Sequence, residues 1–149
     1  MMNNHSTRRG LVIAVATLLS ACGGGSDGGG AVANKGDWEK KHGSVVSVVS
    51  DDIDRSIQAL NAGQRPIVLQ ECAQLQEDLA DARKAVPAPD PTVDAALRGA
   101  FDSTGTAVGT CVEGARIASD ASIIEKAQRE MKVARERYDA AQSAIEAWR

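Results

Sequence analysis

The chain has 149 residues, with 17 lysines and arginines against 20 aspartates and glutamates, so its formal net charge is −3. An acidic chain without a basic stripe has nothing to neutralise phosphates, which disfavours nucleic-acid binding. The sequence contains only two tryptophans, one tyrosine and one phenylalanine. Together with abundant alanine, this composition favours helices that pack closely on one another.

The first 21 residues have the organisation of an export signal. Arg8 and Arg9 supply a positively charged start, and an apolar run of about eleven residues extends from Leu11 to Ala21. A helix of that length rises only about 16 Å, whereas the hydrocarbon layer of a bilayer is about 30 Å thick. The run is therefore too short for a permanent membrane span. The general export route and the twin-arginine route both stay open.

The apolar run closes with Leu19-Ser20-Ala21-Cys22. This motif resembles the lipobox of bacterial lipoproteins, in which the cysteine thiol receives diacylglycerol and the chain is cut just before it. The resemblance implies that residues 1–21 are a lipoprotein signal peptide and that Cys22 is acylated, with palmitate as a typical acyl chain. It also implies attachment to membrane lipid on the extracytoplasmic face of the cell membrane. The alternative is a secreted protein with a chance cysteine near its cleavage site.

Residues 22–36 are predicted to form the lipidated cysteine and a flexible Gly-rich linker. The stretch from Gly23 to Gly30 contains only glycine, serine and aspartate. A coil of about fourteen such residues has a root-mean-square reach of about 20 Å. The sequence therefore predicts a folded part that sits close to the bilayer.

Residues 37–149 are predicted to form one all-α domain, an up-down-up-down four-helix bundle with one interhelical disulfide. Proline and glycine break this region at residues 63–66, 87–91 and 114–119, which leaves four segments. Four amphipathic helices joined by short connections pack most simply as such a bundle. About 110 residues suffice for one domain and are too few for two.

Each segment carries an apolar stripe with the period of a helix. The stripe residues are Val46, Val49, Ile53, Ile57 and Leu60; Val68, Cys72, Leu75, Leu79, Ala82 and Val86; Val93, Leu97, Phe101, Thr104, Val108 and Cys111; and Ile124, Ala127, Met131, Ala134, Tyr138, Ala141, Ile145 and Trp148. Residues 45–49 could form a strand in isolation, but the continuing stripe favours a helix. Gly63 is predicted to end the first helix, Asp90 to cap the third and Ser119 to cap the fourth.

Two cysteines remain once Cys22 is assigned to the lipid. Thiols of exported chains usually oxidise, so a disulfide between Cys72 and Cys111 is predicted; two free buried thiols are the alternative. Closing a loop of about forty residues should stabilise the domain by about 3–4 kcal/mol. The two cysteines differ in predicted height by about 7 Å at 1.5 Å per residue. Because the third segment also contains several glycines, we expect an irregular third helix.

The sequence predicts no catalytic, metal or cofactor site. Glu39 and His42 match one half of the carboxylate–histidine pattern of di-metal bundles, but such a site needs a second pair. His42 is the only histidine after Cys22, so it would also have to serve as the base for any serine or cysteine nucleophile. Asp51, Asp52 and Asp54 are interpreted as part of a solvated face. We therefore do not expect an enzyme.

Trp38 and Trp148 lie near the start of the first helix and the end of the last. In an up-down bundle these positions share one end, which is also the tethered end. Two interpretations stay open: the tryptophans close the core there, or one of them rests at the lipid interface, as tryptophan commonly does.

Three short patterns carry a second resemblance. They are Cys72-x-x-Leu75-x-x-Asp78, Pro87-x-Pro89-Asp90-Pro91 and Ala107-x-x-x-Cys111-x-x-Gly114. Through these three patterns the predicted helical domain resembles small helical lipoproteins and secreted proteins of actinobacteria. The resemblance implies an exported helical domain with one disulfide, and it brings neither an activity nor any functional residue.

The expected function is that of a membrane-anchored extracytoplasmic lipoprotein. Its bundle would act as a non-catalytic interaction or structural module, with another envelope protein as its partner. The alternative is a carrier of a small apolar ligand held between the helices.

Overall fold

Four long helices account for nearly all of the residues that the structure describes. The structure is a computed structural model that describes residues 34–117 and 121–149. The elements are α1 (Lys35–Ala62), α2 (Arg65–Ala82), a 3-10 turn (Arg83–Ala85), α3 (Pro91–Arg116) and α4 (Ala121–Ala147). The predicted all-α fold is confirmed. The predicted signal peptide, Cys22, residues 22–33 of the linker and the Ser119 cap lie outside the described residues.

Helix α1 is bounded by a side-chain cap and a glycine. The Asn34 side chain accepts a hydrogen bond from the Asp37 N–H at 2.9 Å, so the helix begins two residues before the predicted boundary at 37. At the other end Gly63 adopts φ 69° and its N–H donates to the Ala59 carbonyl at 3.1 Å. This left-handed cap is the termination predicted from the glycine.

Helix α3 begins as its sequence predicts. One carboxylate oxygen of Asp90 accepts from the N–H groups of Thr92 (2.8 Å) and Val93 (3.0 Å). Pro91 occupies the first turn, where its missing N–H costs no hydrogen bond. The cap therefore fixes where the chain turns back into the bundle.

The helices form a ring in which every neighbour runs antiparallel. Contacts join α1 to α2, α2 to α3 and α3 to α4, and α4 closes the ring against α1. Lys35 near the start of α1 donates to the Trp148 carbonyl at 3.0 Å, whereas Gln128 near the start of α4 donates to the Leu60 carbonyl at 3.2 Å. The predicted up-down-up-down bundle is confirmed. The beginning of α1 and the end of α4 consequently share one end.

A disulfide between Cys72 and Cys111 links α2 to α3 across the core. The two Cα atoms are 6.3 Å apart and both side chains are fully buried. The predicted pairing is present. The predicted irregular third helix is wrong, because α3 runs as one α-helix from residue 91 to residue 116.

The connection between α2 and α3 absorbs the difference in height between the two cysteines. Residues 83–90 run beside the first turns of α3 instead of forming a compact turn above it. Arg83 donates to the Phe101 carbonyl at 3.0 Å, and the Ala88 N–H donates to the Asp94 carboxylate at 2.8 Å. The height difference expected from the sequence assumes a rise of 1.5 Å per residue throughout, whereas residues 83–85 form a 3-10 turn and α3 begins only at residue 91.

Small residues bring α3 and α4 together more extensively than any other pair of helices. Alanines or glycine lie buried along both facing stripes: Ala100, Ala107 and Gly114 on α3, and Ala127, Ala134 and Ala141 on α4. Because these side chains are short, the two backbones can approach closely. This hairpin is the best-packed part of the core.

Candidate functional site

An aromatic cluster closes the core at the end where the described chain begins and finishes. Trp38 is only 5 % exposed, and its indole N–H donates to the Ala85 carbonyl at 3.0 Å. The ring of Trp148 meets Trp38 edge-on with centroids 5.8 Å apart, and the His42 ring lies at the same centroid distance from Trp38. The structure therefore places Trp38 in the core. Trp148 is half-buried, and its contact with a bilayer stays a prediction.

Two open grooves flank this aromatic cluster. The first, of about 350 Å³, lies between α1 and α4 and is lined in part by Trp38, Val46 and Ile145. The second, of about 490 Å³, lies where Lys35 and Arg149 face the start of α3. Both grooves mix polar and apolar side chains and are open to solvent. Such open grooves can bind a side chain or a short extended peptide more readily than they can enclose an apolar ligand.

His42 is placed as a packing residue. Its side chain is half-buried against Trp38. Burial, followed by the neighbouring positive charge of Lys41, lowers the pKa of His42 below its ordinary value. Within residues 34–117 and 121–149 no three histidine, cysteine, aspartate or glutamate side chains converge on a point that could hold a metal ion.

A buried polar cluster on α1 is the feature that sequence reasoning missed. Asp52 is 1 % exposed and Ser56 is 0 % exposed, whereas the sequence predicts a solvated face at Asp52. One oxygen of Asp52 accepts from Arg55, and Arg55 also donates to Glu71 on α2 at 3.3 Å. The other oxygen of Asp52 and the hydroxyl of Ser56 are buried without a protein partner among the described residues.

The interpretation of Asp52 is wrong because α1 buries a wide arc. Position 52 lies one residue before Ile53 on the apolar stripe, on the side that turns toward α2. A helix with two neighbours covers such flanking positions as well as the central stripe. The only sequence signal was the spacing of Asp52 and Ser56, four residues apart and therefore on one face of the helix.

Polar groups also join α1 to α4. Arg135 donates to the carbonyl of Ser50 at 3.3 Å and to its hydroxyl at 2.5 Å, and its guanidinium lies 3.4 Å from Asp54. The buried Tyr138 hydroxyl donates to the Val46 carbonyl at 2.5 Å. Burial raises the pKa of Tyr138 above its ordinary value. These long side chains join α1 and α4 by polar contacts. Helices α3 and α4 are joined instead by the close approach of their backbones.

The chain was compared with known proteins, and no protein family, curated protein or solved structure matches it. Nor does any helix within the described part of the chain have the length and apolar character needed to cross a membrane. The described residues thus define a class by fold alone: an all-α four-helix bundle crosslinked by one disulfide.

Proposed function

We propose that the protein is a membrane-anchored extracytoplasmic lipoprotein whose bundle acts as a non-catalytic interaction or structural module. One observation carries this proposal. A disulfide-linked bundle begins at Lys35, only thirteen residues after the lipobox cysteine Cys22. A chain with a lipid on Cys22 would present that bundle directly above the membrane surface.

The buried disulfide supports an oxidising compartment. Disulfides form and persist in exported proteins, whereas cytosolic thiols are kept reduced. Cys72 and Cys111 are paired in the core, so Cys22 is the remaining cysteine of the chain. Acylation of its sulfur gives every cysteine a role.

The proposed orientation follows from the ends of the bundle. Lys35 contacts the end of α4 through the Trp148 carbonyl, so the described chain begins at the end of the bundle that holds Trp148. We therefore propose that this end faces the bilayer. The opposite end and the sides of the bundle are then the surfaces left for an envelope protein.

The contacts made by His42, the two paired cysteines and Asp52 support the proposal that the bundle is non-catalytic. His42 packs against Trp38, and both thiols of the described residues are in the disulfide. The buried carboxylate of Asp52 is held by Arg55 and opens into neither of the grooves at the aromatic end. These groups are engaged in packing, which leaves them poorly placed to meet a substrate.

Lipid attachment is tested with Cys22→Ser and the matched control Ser26→Ala in the full chain. Two acyl chains suffice for stable anchoring. The unchanged chain and the control should therefore sediment with membranes and show a cleaved, acylated mass, whereas Cys22→Ser should lose both properties. Intact-mass measurement that finds the unchanged chain unacylated, or its leader retained, contradicts the proposal.

The interaction role is tested by photo-crosslinking in intact cells. A crosslinking residue at Val133, which is 48 % exposed, samples an apolar position on α4. The same crosslinking residue at the exposed Glu136 samples a charged position on that helix as a second probe. A reproducible protein neighbour at either position supports the module, whereas recovery of lipid alone at both contradicts it.

The alternative function, transport of a small apolar ligand, has one supporting observation. The groove between α1 and α4 exposes part of Trp38, Val46 and Ile145. Close packing of α3 against α4 opposes a central cavity, so the ligand would have to bind in this groove. Membrane lipid extracts should then raise the thermal unfolding midpoint by mass action, and Ile145→Glu should abolish that rise.

A further inference from the structure

Buried polar side chains are unevenly distributed among the four helices. Within the described residues three of the five lie on α1: Ser50, Asp52 and Ser56. The other two are threonines of α3, and Thr104 donates to its own helix at 2.8 Å. Helix α1 thus carries most of these buried polar residues, and Glu130 of α4 adds one further buried oxygen without a partner among the described residues.

Two of the polar groups on α1 reduce the free energy that is gained when this helix packs against the others. The free oxygen of Asp52 and the hydroxyl of Ser56 lose water when α1 packs, and no described protein group replaces it. A buried polar group without a partner carries the full cost of its desolvation. This cost offsets part of the stabilisation from Val49, Ile53 and Leu60, which are buried on the same helix.

The other three helices are held together in different ways. The disulfide fixes α2 to α3 covalently. Alanine and glycine allow α3 and α4 to pack over their whole length, whereas α1 and α4 make the sparsest contact of any neighbouring pair. Helix α1 contacts α2 more extensively than α3 does, so the disulfide is what keeps α2 with α3 and α4 when α1 leaves. Helices α2, α3 and α4, which are joined to one another without α1, form the body.

We propose that α1 is a detachable lid, which opens as one unit from the body formed by α2, α3 and α4 while that body stays folded. Local opening of this kind has a lower free energy than complete unfolding when the opening segment has the weaker contacts. The opened state returns Asp52 and Ser56 to water and uncovers the hydroxyl of Tyr138. The proposal does not depend on lipid attachment, so it can fail while the proposed function holds.

The test is native-state hydrogen exchange on the oxidised full chain, followed by mass spectrometry. Amides at 49–56 report α1, and amides at 104–111 and 131–138 report the body. If α1 opens alone, its amides should be less protected than those of the body by about tenfold or more. Equal protection of the two groups overturns the proposal.

A stabilising substitution in the body separates local opening from global unfolding. Gly109 lies in helix α3, and a Cβ added there would meet no atom within 4 Å, so Gly109→Ala removes only the glycine penalty. That change stabilises the closed and opened states equally. Body protection should rise by about fourfold, while α1 protection stays constant. A parallel rise in α1 shows that α1 exchanges only through global unfolding and overturns the lid.

A substitution in α1 should instead change the protection of α1 and of the body together. Ser56→Ala removes the buried hydroxyl and should raise protection of α1 and of the body together, by about threefold to tenfold. Ser44 is exposed on the same helix, and Ser44→Ala gains helix propensity alone, about twofold. A gain from Ser56→Ala no larger than this control contradicts the role given to the buried hydroxyl, and with it the lid.

Discussion

Helix α1 and the hairpin of α3 and α4 carry apolar stripes of the same helical period, yet they are held in the bundle differently. The hairpin uses short side chains, such as Ala134 and Gly114, so its two backbones meet. Helix α1 also meets its neighbours through polar contacts: its Arg55 reaches α2, and Arg135 and Tyr138 of α4 reach α1. A helical stripe therefore identifies which face of a helix is buried. The side-chain sizes and polar groups along that stripe set how strongly the buried face holds the helix in the bundle.

Removing the covalent link within the body should have the strongest effect. Cys72→Ala combined with Cys111→Ala should lower the free energy of unfolding by about 3–4 kcal/mol, because the unfolded chain regains loop entropy. Urea unfolding followed by circular dichroism measures this loss. The reduced, unsubstituted chain should shift by a similar amount, and an unchanged midpoint in both samples would contradict a structural role for the disulfide.

Next in size is a pair of glycine substitutions on α3. A Cβ at Gly114 would lie 2.9 Å from Ile124 and 3.0 Å from Ile123, whereas one at Gly99 meets nothing within 4 Å. Gly99→Ala should therefore stabilise the protein by about 0.8–1.0 kcal/mol. Overpacking costs about 1–3 kcal/mol, so Gly114→Ala should be less stable than the unchanged chain. Thermal melts compare the two, and equal gains would argue against close approach of α3 and α4.

The polar cluster of α1 predicts a gain in stability. Asp52→Leu removes a buried carboxylate, and Arg55 keeps Glu71 as a partner at 3.3 Å. Replacing a buried charge with an apolar side chain is often stabilising when no other charge is stranded, here by about 1–2 kcal/mol. The exposed neighbour Asp51 is the control, since Asp51→Leu should change stability by only about 0.5 kcal/mol. Urea unfolding that shows Asp52→Leu to be destabilised would contradict this account of α1.

The weakest of these effects concerns the hydrogen bond between α4 and α1. Tyr138→Phe should cost about 1 kcal/mol at neutral pH, the net worth of one buried hydrogen bond. Because burial raises the folded pKa of Tyr138, its contribution is fully present below the unfolded pKa of about 10 and is lost as the pH rises above it. Unfolding measured at several alkaline pH values should show a steeper loss for the unchanged chain than for Tyr138→Phe.

Tyr138 can also report whether α1 separates from the body while α2, α3 and α4 stay folded. It is the only tyrosine of the chain, so tyrosinate absorbance reports this one hydroxyl. Opening of α1 alone would let Tyr138 ionise while most helical circular dichroism remains. A rise in tyrosinate absorbance that coincides with the loss of helical circular dichroism would instead indicate that the helices separate together.

Features that depend on neighbouring residues along the chain could be predicted from the sequence. Asp90 before Pro91 and the glycine at 63 mark helix ends by local hydrogen bonding and backbone conformation, and both act as predicted. The paired cysteines also follow, because few thiols leave few alternatives. Residues 45–49 are helical despite four valines among five residues, since burial of Val46 and Val49 outweighs the weak preference of valine for strands.

The candidate site was harder to predict because it depends on distances between helices. Trp38 could be assigned to the correct end of the bundle, but its hydrogen bond to Ala85 requires the particular path of residues 83–90. The burial of Asp52 depends on how α2 lies across α1. The spacing of Asp52 and Ser56 places them on one face of α1, but it does not show that α2 covers that face.

Periodicity, local caps and composition were enough to establish the all-α class, the number of helices, the helix ends at Gly63 and Asp90, and the disulfide pairing. Tertiary packing was needed to establish that α3 is continuous, that Asp52 and Ser56 are buried, and that α3 and α4 pack more closely than α1 and α4. These properties arise from the relative height and separation of whole helices. They are set by the summed packing of many side chains at once, so no short segment encodes them.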